Sequence, residues 1–279
     1  MDKRLTNASL STLLQTLADF LMPRVCVVCG RQLLAGEEHL CSCCLAGLPL
    51  THFEGMSHNP MADMYNALVE APAYEHAAAL FYYKGEYGRI TQALKYGRNF
   101  GAGRWFARML GERLQASGAW SDVDLVCCVP LHWTRRFSRG YNQAEVIARE
   151  VASVLGVPFE RRLLRRVRRT GTQTRLDAGS RLANVADAFA VRKRYFCSPA
   201  GASWRRSFFM AGTSAANQPL TQSDGAGHPT IIGPAPQRVL LIDDVFTTGA
   251  TLAACSAALR AAFGPSVRIS VATLGFAEA

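Results

Sequence analysis

Two stretches of this chain, Leu125 to Val129 and Val239 to Ile242, are apolar at every position. A run without polar alternation reads as a strand buried on both faces, as in a parallel sheet covered by helices. Ala77 to Tyr83, ended by Gly85, and Val267 to Leu274 read as further strands. Helical stripes fall between them. Leu252, Cys255, Leu259 and Phe263 share one face until Gly264-Pro265 stops the helix. Ile90 and Leu94 suggest a short helix carrying Lys95, followed by the turn Gly97-Arg98-Asn99. Further helices are expected over about 104–116 and up to Leu155. Strands alternating with helices predict an α/β fold with a doubly wound, mostly parallel sheet, its last strand reached by a right-handed crossover.

The pattern weakens elsewhere. Residues 51–75, punctuated by Pro60 and Pro72, read as connector. Residues 1–22 place Leu10, Leu13, Leu14, Leu17 and Phe20 on one stripe, an amphipathic helix expected to dock on the module next to it in the chain. That segment lacks the continuous apolar core and cleavage site of a signal peptide, and no run approaches the roughly 18 residues that span a bilayer. Residues 192–237 hold five of the twelve prolines with many Gly, Ser and Ala and no period, so a largely disordered insertion is expected there.

At 279 residues, 49% hydrophobic and 19% charged, the chain can bury one large core and a smaller module. Net charge is +10, carried by arginine far more than lysine, which suits phosphate and carboxylate partners. Nine cysteines is an odd number, and four of them are grouped like metal ligands, which points to a reducing cytoplasm. These four are Cys26-x2-Cys29 and Cys41-x2-Cys44, two knuckles able to supply four thiolates to one structural zinc. A module of residues 23–50 is too short to bury much core, so metal would supply its folding energy. Cys43 competes with Cys44 for the site on sequence grounds, and His39 reads as a bystander.

The chemistry concentrates in Arg238 to Thr251, RVLLIDDVFTTGAT. The apolar run ends in two carboxylates, Asp243 and Asp244, then Thr247, Thr248, Gly249, Ala250 and Thr251 lead into a helix. Free amides at a helix N-terminus favour an anion such as phosphate, and Gly249 lets the backbone come close. Two carboxylates beside a phosphate would repel it unless a ribose lay between, its vicinal hydroxyls donating to the acids. No GxxxxGK[ST] occurs, which excludes a Walker loop, and the adjacent acids exclude a DxDxT phosphotransfer motif.

This stretch resembles the phosphoribosyl pyrophosphate signature of type I phosphoribosyltransferases. The segment VPLHWTRRFSRGYNQAE, together with Thr172-Gln173, Leu176, Arg181, Asn184-Val185 and Phe189, resembles the ComF family, which joins a zinc ribbon to a phosphoribosyltransferase-like domain. With the paired knuckles the likeness covers about residues 20–191 and 238–276. It implies a ligand domain over residues 75–279 that binds phosphoribosyl pyrophosphate with Mg²⁺. Asp243 and Asp244 would hold the ribose hydroxyls, and 247–251 the 5′-phosphate. Arg135, Arg136, Arg139 and Gly140 would form the pyrophosphate-side loop, and Thr172, Gln173, Arg181 and Asn184 a lid. The implied function is phosphoribosyl transfer with release of pyrophosphate, linked to DNA uptake in natural transformation. The alternative is an accessory protein that senses a nucleotide sugar or handles single-stranded DNA without catalysis. For the second role, Arg161 to Arg169 offers six arginines in nine residues, read as a strand or strand edge with a basic side.

Overall fold

A computed structural model describes residues 24–96, 99–131, 140–167, 188–192, 195 and 236–278. The expectations for residues 1–22, Gly97-Arg98, Arg135, Arg136, Arg139, the segment from Thr172 to Asn184, and most of 192–237 lie outside these residues.

The apolar runs form strands as their patterning requires. β1 (Ala77–Tyr82), β2 (Leu125–Cys128), β5 (Arg238–Phe246) and β6 (Arg268–Phe276) make a parallel sheet in the order β1-β6-β5-β2. Its inner positions are closed to solvent on both faces, with Val239 through Ile242 at 0% exposure. A small antiparallel pair, β3 (Leu164–Arg166) and β4 (Phe189–Val191), stands apart from this sheet.

Helices close the two faces. α4 (Phe100–Ser117) lies against α5 (Gln143–Leu155), where Gly111 brings the backbone close to Val154. α2 (Pro60–Asn66) joins α6 (Ala250–Phe263) through a 2.7 Å hydrogen bond between the buried Tyr65 hydroxyl and Ser256 Oγ. α3 (Gly88–Tyr96) is pinned by the buried Ile90 and Leu94. A Cβ at Gly103 of α4 would press on the Leu94 side chain, so glycine lets the two helices approach without moving it. The short helix α1 (Ser42–Ala46) follows the second cysteine knuckle's Cys41, whose thiol caps it by accepting from Cys44 N–H.

The winding reverses between β2 and β5. From β2 the chain passes through α5 to an extended segment whose Phe159 bridges Val126 in parallel on the outer side of β2. From β5 it passes through α6 to β6 on the opposite side. Carboxyl ends at such a reversal leave a crevice, the usual ligand position in open α/β sheets.

Several expectations change. β5 does not stop at the acids: Asp243 still pairs with Thr273, and the strand continues to Phe246 opposite Phe276. Residues 51–75 are not mere connector, because Asn59 caps α2 with Pro60 in its first turn, and Met61 and Tyr65 are core residues. β2 is the last strand of the four-stranded sheet rather than a central one, flanked outside by the 158–160 segment. α4 starts at Phe100 instead of 104, because Asn99 accepts from Ala102 N–H at 3.0 Å and caps it. β6 runs on to Phe276, two residues beyond Leu274. Among the described residues no helix is long and apolar enough to cross a membrane.

Candidate functional site

The crevice between β2 and β5 is lined by Lys95, Val129, Pro130, Leu131, Asn142, Gln143, Arg166, Asp243, Asp244 and Thr251, enclosing about 180 Å³. Asn142 Nδ2 donates to the Val129 carbonyl at 2.9 Å, which fixes the end of β2 against the start of α5. Tyr141 ties the same segment to α3 by donating to the Leu94 carbonyl.

The acidic pair sits in the pleat of β5, so the two side chains leave opposite sides of the strand. Asp243 accepts from the backbone N–H of Asp244 at 2.8 Å. Asp244 Oδ2 lies 2.9 Å from Lys95 Nζ, with both side chains largely covered. The Asp243 carboxyl is pushed up to about 8, first by burial and then by the like charge of Asp244. The Asp244 amide, Lys95 and Arg166 oppose that rise without cancelling it.

Beyond the acids the loop is shorter than the sequence implies. Thr247 is exposed and Thr248 half-buried, while Gly249 holds φ of +75° and is already the N-cap of α6. A Cβ at Gly249 would lie 2.7 Å from the Phe246 ring and 3.0 Å from Leu68, so glycine is required by both conformation and space. Ala250 and Thr251 are the first helical residues, and the Ala250 side chain is buried, which leaves only its amide available. Gly249 offers no side chain to cap α6, so the leading amides stand at a notch of about 30 Å³ shaped by residues 245–252. Gly140, the described member of the proposed basic loop, is exposed with φ of +80°.

Two site cations were not legible as such. Lys95 comes from α3, and Arg166 from β3, where it lies 5.3 Å over the Phe189 ring. The sequence alone groups Arg166 with a basic outward face. The structure splits that run: Arg162 and Arg165 are exposed, whereas Arg166 turns into the crevice. Strand alternation was the available signal, because Arg165 and Arg166 must point to opposite sides.

A second cluster lies in the N-terminal module. The Sγ atoms of Cys26, Cys29, Cys41 and Cys44 lie within 4.8 Å of one another. Cys29 and Cys41 are 3.8 Å apart, the edge of a tetrahedron built on metal–sulfur bonds of about 2.3 Å. Cys43 is exposed and outside the cluster, which settles its competition with Cys44. His39 packs edge-on against Trp105 of α4 with ring centroids 6.1 Å apart, a bystander to the thiols that joins the module to the larger core.

No protein-family model matches the chain. It is similar to competence protein F of Haemophilus influenzae, 26% identical over 244 residues that cover 84% of this chain and 90% of that protein. It is also similar to DNA utilization protein YhgH of Salmonella typhimurium, 27% identical over 170 residues, or 60% of this chain and 70% of that one. The Escherichia coli protein of that name is 25% identical over 185 residues, covering 61% and 78%. With the four-cysteine cluster ahead of an α/β sheet, these relatives support assignment of the chain to the ComF family.

Proposed function

We propose that the crevice binds phosphoribosyl pyrophosphate with Mg²⁺, and that the protein transfers the phosphoribosyl group with release of pyrophosphate. One observation carries the reading: adjacent carboxylates and a glycine-capped helix N-terminus meet at the point where the sheet's winding reverses. Asp243 and Asp244 accept from the ribose hydroxyls, and the amides of residues 247–251 with the threonine hydroxyls take the 5′-phosphate. Mg²⁺, when bound, neutralises the leaving diphosphate. The chain's own part is to orient the sugar so that displacement at its anomeric carbon meets little entropic cost. The ComF resemblance assigns Arg135, Arg136, Arg139 and Gly140 to the diphosphate side, and Thr172, Gln173, Arg181 and Asn184 to a lid.

The four thiolates fit zinc, which would hold residues 23–50 as a structural module ahead of a ligand domain over 75–279. All eight described cysteines are free thiols, in keeping with a cytoplasmic site of action. The names of the relatives, competence protein F and DNA utilization protein, support a role in DNA uptake. A second reading, binding without turnover, has its own support. Among the described lining residues, the groups suited to accept a proton are the two carboxylates that the sugar would occupy.

Calorimetry with phosphoribosyl pyrophosphate at fixed Mg²⁺, followed by a pyrophosphate-release assay over nitrogenous acceptors, tests both readings. Binding with release supports transfer, and binding without release supports the sensor. Absence of binding, with no competition by ribose 5-phosphate, overturns both. Metal analysis should find about one zinc per chain, lost in the Cys26→Ser, Cys29→Ser variant.

A further inference from the structure

The cysteine module touches the base of the helix that reaches the acidic pair. Tyr87, just before α3, donates its hydroxyl to the Cys44 carbonyl at 3.2 Å. Arg89, in the first turn of α3, donates to the carbonyl of Val28 at 2.7 Å, between Cys26 and Cys29. Both cysteine knuckles therefore hold the start of α3. Two turns later Lys95 reaches Asp244 at 2.9 Å. A nine-residue helix is a rod of roughly 13 Å, short enough to pass a displacement at one end to the other.

The Lys95–Asp244 pair cannot persist unchanged if a sugar occupies the carboxylate. Lys95 has only 24% of its side chain exposed, so its ammonium, once released, needs a new anion close by. The ligand brings one. An ammonium offers three rotatable donors and no acceptor, so it follows a phosphate oxygen without a fixed fork geometry. The 5′-phosphate is directed to the amides of α6, which leaves the phosphates on the anomeric side of the sugar for Lys95. Arg166, lining the same crevice, adds positive charge there.

We propose that Lys95 exchanges Asp244 for the anomeric diphosphate of the ligand, and that the four-cysteine module is the brace which holds Lys95 at that point. This rests on the ligand reading given above. It gives the N-terminal module a part in the site itself.

The test is calorimetry on the full chain at fixed Mg²⁺, comparing phosphoribosyl pyrophosphate with ribose 5-phosphate. The variants are Lys95→Met, Arg89→Met, Tyr87→Phe, and Lys95→Met combined with Arg89→Met. Lys95→Met should weaken phosphoribosyl pyrophosphate by about 10- to 100-fold, and ribose 5-phosphate by less than about threefold. Arg89→Met and Tyr87→Phe, with zinc retained, should each weaken phosphoribosyl pyrophosphate by about two- to tenfold with the same selectivity. Arg89→Met should add almost nothing once Lys95 is Met, because both act through one group. If Arg89→Met fails to fold, Tyr87→Phe decides, since it removes only a hydroxyl. Equal losses for both ligands, or full additivity in the double variant, overturn the proposal while the ligand reading stands. A wild-type protein that binds neither ligand overturns the two together.

Discussion

At the edge where the strands begin, Glu75 is fully buried between two arginines. Arg260 lies 3.3 Å and Arg268 3.8 Å from its oxygens, and the backbone N–H of Ile269 donates to it at 2.9 Å. Arg238, 3% exposed, donates to Ser270 Oγ and the Ala119 carbonyl, pairs with Asp122, and lies 5.5 Å over the Trp120 ring. At the edge where β5 ends, Asp243 and Asp244 meet, among the described residues, one backbone amide, Lys95 and the charge of Arg166. The ingredients are the same, acids with cations in the pleat of one sheet. At the first edge Glu75 and Asp122 each meet arginines inside the fold, three cations facing two acids. At the second, burial first and the like charge of Asp244 next raise the proton affinity of Asp243, and the nearby cations do not cancel that rise. A closed network holds the strands in register, while an open one is where binding has something to gain.

The largest effect should come from breaking the closed edge. Glu75→Ala leaves Arg260 and Arg268 without their buried partner and should cost about 3–5 kcal/mol in urea unfolding. A loss below about 1 kcal/mol would remove the contrast between the edges. The open edge should respond in function instead of stability. Asp243→Asn with Asp244→Asn should fold normally yet bind phosphoribosyl pyrophosphate more than about a hundredfold more weakly, at about 1.5–3 kcal/mol per charge-assisted bond. Equal affinities would make these carboxylates structural, like Glu75.

A smaller effect sharpens the comparison through pH. Below about 4 Asp243 is protonated folded and unfolded alike. Between about 4 and 8 the unfolded chain releases the proton while the folded one keeps it, so this group's stabilising contribution is lost as pH rises through the folded value. Asp243→Asn has no such proton. Ligand-free, it should be more stable than wild type by about 1–2 kcal/mol at pH 8.5, discounted for partial exposure, and the gap should close towards pH 4. Melting curves across that range check it, and a pH-independent gap would assign the difference to packing. The smallest effect belongs to arginines on neither edge. Arg162→Ser with Arg165→Ser should lower the salt slope of single-stranded DNA binding by about 1.4, at roughly 0.7 per phosphate contact. An unchanged slope would make this an ordinary solvated face.

The relation between sequence and site differs from residue to residue. The strands were legible because a run such as Val239 to Ile242 has no polar position to turn outward. The cysteine spacing was legible because knuckles bring their own ligands together locally, and the four thiols do gather. Asp243, Asp244 and Gly249 were legible because they lie within one short stretch of chain. Lys95 and Arg166 were visible in the sequence, yet nothing near them in the chain names a common partner.

What the sequence determined by itself, then, is whatever depends on neighbours within one strand, turn or knuckle: the α/β class, the four-cysteine cluster, and the acid-then-glycine passage into α6. Tertiary structure alone decided the rest. It carried β5 past the acids by pairing Val245 with Gly275, and it set Tyr65 of the supposed connector against Ser256. It split the arginine run between solvent and crevice, and it brought Glu75 to Arg260 across 185 positions of chain. The physical reason is common to all of these. Strand order and helix packing determine which distant side chains share a low-dielectric space, and Coulomb and burial energies act on that proximity regardless of separation along the chain.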